Sequence, residues 1–152
     1  MKLLNVDTLE QAREKLWSKV KSWLLKTETI SLDELSGNHI LAEDFFASAD
    51  IPSFRRATVD GYALIASDTA GAGEAVPVFL KQIGTVAMGK PVELSIRSGE
   101  TVCVPTGGML PGGADAVVML EYTESSGETI AVYEAVAAGS GLAEAGEDIC
   151  KG

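Results

Sequence analysis

Val102-Cys103-Val104-Pro105-Thr106-Gly107-Gly108-Met109-Leu110-Pro111-Gly112-Gly113-Ala114-Asp115-Ala116-Val117-Val118-Met119-Leu120 decides the fold. Valine-rich runs stand at its two ends, 102–104 and 116–120, with glycines and prolines between them. Short β-prone runs bounded by Gly and Pro read as strands, because branched side chains fit a pleated surface and the breakers mark where pairing stops. Working outward, residues 76–83, 92–96 and 129–136 repeat the pattern. Glu124-Ser125-Ser126-Gly127 reads as a hairpin connection in which Gly127 supplies a positive φ. A β-rich, barrel-like domain is therefore expected over residues 50–138.

The first quarter of the chain has a different period. Between residues 7 and 26, apolar side chains recur at Leu9, Ala12, Leu16, Val20, Trp23 and Leu24, spaced by three and four, which predicts an amphipathic helix. Asp7 or Thr8 can cap it, with Glu10 or Gln11 three residues on as the capping-box partner. Its tryptophans, Trp17 and Trp23, are expected to pack against the rest of the protein or a second subunit. Beyond Thr27, Thr29-Ile30-Ser31-Leu32, a turn at Ser36-Gly37-Asn38, and Ile40-Leu41-Ala42 suggest short strands. Gly139-Ser140-Gly141 marks the exit from the β-rich region. The fold class expected is α+β: an elongated helix-plus-strand domain, discontinuous over 1–49 and 139–152, interrupted by the β-rich domain. The chain ends at Gly152 directly after an acidic turn, so a longer natural protein is expected.

Composition narrows the function. With 46% hydrophobic residues in 152, a core can form without staples. No apolar run approaches the roughly 20 residues that span a bilayer, and no signal-type segment opens the chain, so a cytoplasmic protein without membrane contact is expected. Cys103 and Cys150 lie far apart, with neither disulfide nor zinc spacing. The formal charge is −10, and residues 101–150 hold eight acids and no Lys or Arg. This balance argues against nucleic acid as a partner, since nucleic acid is gripped by clustered cations. The acids serve solubility, or some of them hold a hard cation such as Mg²⁺ that lets an acidic protein meet an anion. His39, beside a turn, is expected to face solvent.

Three places could carry chemistry. Pro52-Ser53-Phe54-Arg55-Arg56-Ala57-Thr58-Val59-Asp60-Gly61-Tyr62-Ala63 sets two arginines before an Asp-Gly. Arginine grips an oxyanion such as phosphate through paired donors, and an Asp on a turn can reach a metal or water; a surface turn with Arg55 and Arg56 paired to nearby acids is the plain alternative. In the loop from Val104 to Asp115, the four glycines Gly107, Gly108, Gly112 and Gly113 let backbone N–H groups converge on an anion, with the Thr106 hydroxyl as a further donor. A wide turn serves equally, and the Gly-Lys-Ser/Thr ending of a nucleotide-binding P-loop is missing. Gly146-Glu147-Asp148 offers two carboxylates that would point to opposite faces of an extended chain, or simply a solvated tail.

In their order along the chain, Leu41-Ala42-Glu43-Asp44, Ile51-Pro52, Asp60-Gly61-Tyr62-Ala63, Thr106-Gly107, Leu110-Pro111, Gly113-Ala114-Asp115-Ala116-Val117-Val118 and Gly146-Glu147-Asp148 resemble the N-terminal region of the molybdopterin molybdenumtransferases, the family that includes part of gephyrin. The resemblance implies molybdenum cofactor biosynthesis: molybdate enters the dithiolene of adenylylated molybdopterin, an anionic pterin, and AMP leaves, with Mg²⁺ assisting. It implies a homodimer with the cleft between subunits. Asp60, Thr106 and Asp148 match polar, catalytic positions lining that cleft; from their own chemistry Arg55, Arg56, Gly107 and Gly108 are expected to hold the anionic substrate, and the metal ligands are not assigned. Ala57, Arg56 and Gly108 depart from the family's usual Ser, Asn and Ala, and Gly141-Leu142-Ala143-Glu144 replaces a segment that commonly ends in Arg. The downstream pterin-binding domain is missing from these 152 residues, so the fragment alone is expected to be inactive. The alternative is a non-catalytic dimerisation or scaffold module of the same fold.

Overall fold

The computed structural model describes residues 6–21, 23 and 26–152. Two units divide the chain, Met1–Phe45 and Phe46–Gly152.

In the first unit, helix α1 (Leu9–Val20) starts where the capping signal puts it. The Thr8 hydroxyl accepts from the Gln11 N–H at 3.3 Å, and Gln11 Oε1 accepts from the Thr8 N–H at 3.0 Å. This reciprocal pair occupies N–H groups that a helix start otherwise leaves open. The helix closes at Val20 instead of running on to Lys26: the Trp23 N–H turns back to Val20 O at 2.9 Å, a three-residue closure tighter than an α-helical turn. Leu24, counted in the expected apolar stripe, lies outside the described residues. No residue of α1 is buried, and Leu9, Leu16 and Trp17 are 80%, 64% and 61% exposed. In place of a strand at 29–32, the backbone makes a single 3₁₀ turn, Leu32–Glu34. Strand-prone residues need a partner whose N–H and C=O groups can pair with theirs, and none of the described residues of this unit is in a strand.

The second unit is built on a six-stranded mixed sheet. Its members are β2 (Gly61–Leu64), β3 (Val78–Thr85), β4 (Glu100–Val104), β5 (Ala116–Met119), β6 (Thr123–Ser126) and β7 (Thr129–Val132), in the order β5-β2-β4-β3-β7-β6. Only the β3–β4 pair is parallel. The sheet curls into a half-barrel. It does not close as the barrel-like expectation had it, since β5 and β6 are its two unpaired ends. Separately, β1 (Arg56–Ala57) pairs with β8 (Leu142–Ala143), and Ile51 bridges Ile149, so residues 139–152 lie against the start of this unit.

Both faces of the sheet are covered. Ala63, Val102, Val104 and Val117 belong to one core cluster, with Val86, Ile96 and Leu110. Tyr62, Leu64, Ala116, Val118, Leu80, Ile130 and Val132 form the other. A strand covered on two faces loses the in-out alternation that marks a half-exposed one. That is why Gly61-Tyr62-Ala63-Leu64, buried at every position, did not announce itself. Residues 124–126, expected as loop, are strand β6, and the hairpin turn is only Gly127-Glu128, with Gly127 at φ 64°. Residues 92–96 form no strand beyond a bridge from Ser95 to Gly112. Among the described residues no helix is long and apolar enough to cross a membrane.

Candidate active site

Asp60 stands at the entry to β2, an interior strand one place in from the β5 edge of the sheet. Gly61 pairs with Val104 on one side and Met119 on the other. A Cβ on Gly61 would lie 1.9 Å from Val118 O, so this position admits no side chain. The Leu120 N–H donates to Asp60 O at 3.1 Å. The backbone of Asp60 is thus fixed from both sides.

Thr106 follows the end of β4, the neighbour of β2, and this adjacency brings two residues 46 apart in sequence into contact. The Thr106 N–H donates to Asp60 Oδ1 at 2.7 Å and the Thr106 hydroxyl donates to the same oxygen at 3.0 Å. Donors aimed at a carboxylate favour its charged form. The Thr106 backbone N–H, followed by its hydroxyl, holds the Asp60 carboxyl below the usual carboxylate range, although the side chain is fully exposed.

The glycine loop is sewn to the arginine loop by backbone bonds. The Gly107 N–H donates to Ala57 O at 2.8 Å, the Ala57 N–H donates to Gly108 O at 2.9 Å, and the Gly108 N–H donates to Pro105 O at 2.8 Å. Gly107 has φ 81°, where a side chain is strained. The N–H groups of Thr106, Gly107 and Gly108 are therefore engaged within the chain.

Arg55 Nε donates to Glu144 Oε1 at 3.0 Å and its Nη1 donates to Ala114 O at 3.0 Å, so this guanidinium ties three loops together. Arg56 lies on β1 with an exposed side chain that has no hydrogen bond or ion pair among the described residues. Asp148 is held by its backbone N–H on Ile51 O at 2.9 Å; no bond among the described residues joins its exposed side chain to Asp60 or Thr106. No three His, Cys, Asp or Glu side chains among the described residues gather as a metal site. The roles of Gly61 and Glu144 were not visible in sequence: each acts on a neighbour far away along the chain, and neither belongs to a local motif for that contact.

The profile of the MoeA N-terminal region, covering its domains I and II, matches residues 7–152. The chain belongs to this family. It is 35% identical over 128 residues to the molybdopterin molybdenumtransferase of Staphylococcus epidermidis, covering 84% of this chain and 30% of that protein. With the molybdopterin molybdenumtransferase of Bacillus subtilis it shares 34% identity over 131 residues, covering 84% of this chain and 30% of the other. A crystal structure of the molybdopterin biosynthesis MoeA protein from Pyrococcus horikoshii superposes with a TM-score of 0.74 at 42% identity, over 82% of this chain and 33% of that one. This MoeA N-terminal region thus spans 30% of the length of those two curated relatives.

Proposed function

We propose that this MoeA N-terminal region forms one wall of a cleft in a molybdopterin molybdenumtransferase, where molybdate enters the dithiolene of adenylylated molybdopterin and water hydrolyses the phosphoanhydride, releasing AMP. The observation that carries the reading is the Asp60–Thr106 pair: an ionised, exposed carboxylate fixed at the start of an interior strand in a chain of this family. In that cleft Asp60 orients the water that attacks the phosphoanhydride, with Thr106 and Asp148 as further polar wall residues. Arg56 meets the anionic substrate with an unengaged guanidinium, while Gly107 and Gly108 allow close backbone approach. Arg55 contributes through the loops it ties. Mg²⁺ would be held largely by substrate phosphate and water with one or two carboxylates, the usual manner for this ion. The pterin-binding parts lie in the remainder of a longer, dimeric, cytoplasmic protein, so these 152 residues alone turn nothing over.

A scaffold role is the second reading, and the exposed apolar face of α1 favours it. The two are separated by incubating the intact protein with adenylylated molybdopterin and molybdate and following AMP. AMP release that depends on molybdate supports the transferase; none above a buffer control leaves the scaffold.

A further inference from the structure

Asp60 carries its two hydrogen bonds in an unequal way. Both donors of Thr106 end on Oδ1, at 2.7 and 3.0 Å, and no other described residue bonds the carboxylate. Its backbone cannot re-aim it: the Leu120 N–H holds Asp60 O, and Gly61 is pressed against Val118 O. One carboxylate oxygen is therefore committed to the fold and the other is presented.

We infer that Asp60 works through Oδ2 alone, as a one-oxygen acceptor, and that Thr106 is a positioning residue that acts by holding Oδ1. This deepens the transferase reading and rests on it for the reaction, but not for the geometry. A carboxylate that must hold a water or a substrate proton in one direction gains from losing its rotation before substrate arrives, since the ordering is then complete when the reaction begins. Two donors on one oxygen achieve this. They also favour the ionised form, in which Oδ2 carries no proton. Thr106 thus needs no contact with the reacting atoms. The Thr106 N–H survives any side-chain change, so the hydroxyl's share can be removed separately.

The test uses Thr106→Val, which loses only the hydroxyl, and Thr106→Ser, which keeps it. In the 152-residue chain, NMR follows the Asp60 carboxyl carbon and the Thr106 amide proton through an acid titration. Both are expected to titrate at the same midpoint in the parent, with the midpoint moved upward in Thr106→Val and restored in Thr106→Ser. If the Thr106 amide of the parent ignores the Asp60 titration, the pairing is absent and the inference fails, whether or not any variant folds. In the intact protein, Thr106→Val is expected to lower kcat about tenfold or more, to move the acid limb of the rate profile upward and to leave KM for the pterin unchanged, with Thr106→Ser restoring all three. A raised KM with an unmoved acid limb would mean that Thr106 touches substrate, and would overturn the inference while leaving the transferase reading intact. A parent protein with no activity would remove that reading and leave the NMR result standing.

Discussion

The two units use apolar residues in opposite ways. The sheet unit, Phe46–Gly152, closes its own core: Leu64, Val102, Ile130 and Val132 have no exposed surface. The helix of the first unit carries its apolar residues at the right spacing for a buried stripe, yet buries none of them. Periodicity therefore names the element, while burial depends on a partner that the sequence of one element does not contain. It follows that stability should reside in the sheet unit and that helix substitutions should scarcely register there.

Gly61→Ala gives the largest expected effect. The new methyl meets the backbone oxygen of Val118, on the neighbouring strand, at 1.9 Å, and a strand paired on both sides cannot yield that distance without losing pairs. A loss of about 4 kcal/mol or more, at the top of the usual range for point changes, should appear in urea unfolding followed by tyrosine signals. All three tyrosines, Tyr62, Tyr122 and Tyr133, lie in the sheet unit. Unchanged unfolding would mean that β2 is not clamped as described. Next, Ile130→Ala should cost about 2–5 kcal/mol by leaving a cavity in the core, whereas Leu16→Ala should stay within about 0.5 kcal/mol. Equal costs would erase the contrast between the units.

A smaller effect is expected at the helix cap. Thr8→Ala removes the hydroxyl that accepts from Gln11 and should reduce helix content by the equivalent of about 1 kcal/mol. Circular dichroism should record it while the tyrosine transition stays in place. Both tryptophans lie in the first unit, with Trp17 and Trp23 61% and 76% exposed. In dilute solution acrylamide should quench them freely; protection that grows with protein concentration would instead support the proposed homodimer.

Legibility in the sequence followed the same division. Local signals were readable: the Thr8-Gln11 capping box, the strands around 78–85, 100–104 and 116–119, and the positive φ of Gly127. Features set by distant partners were not. Strand β2 is covered on both faces and shows no alternation, β6 reads as a polar loop until β7 pairs with it, and residues 29–32 have strand propensity without a strand beside them. At the site, Asp60 and Thr106 could be singled out by residue type and by resemblance, but their contact depends on β2 lying beside β4. An acid partner for Arg55 was the plain alternative in the sequence, but nothing local pointed to Glu144, 89 residues away.

Acid should act on the same corner. The Asp60 carboxyl is held below its usual range, so what its charge contributes is present above the ordinary carboxylate range and is lost as pH falls through the lowered value. Because the group is fully exposed, this should touch activity far more than folding. The most direct measurement is Asp60→Ala, taken as the melting temperature of the sheet unit beside the molybdate-insertion rate of the intact protein. A melting temperature altered by no more than about 0.5 kcal/mol's worth, together with a rate reduced tenfold or more for each 1.4 kcal/mol or so of lost transition-state stabilisation, is the predicted result. A large fall in melting temperature with a proportionate loss of rate would make Asp60 a structural turn residue, and an unchanged rate would remove it from the active site.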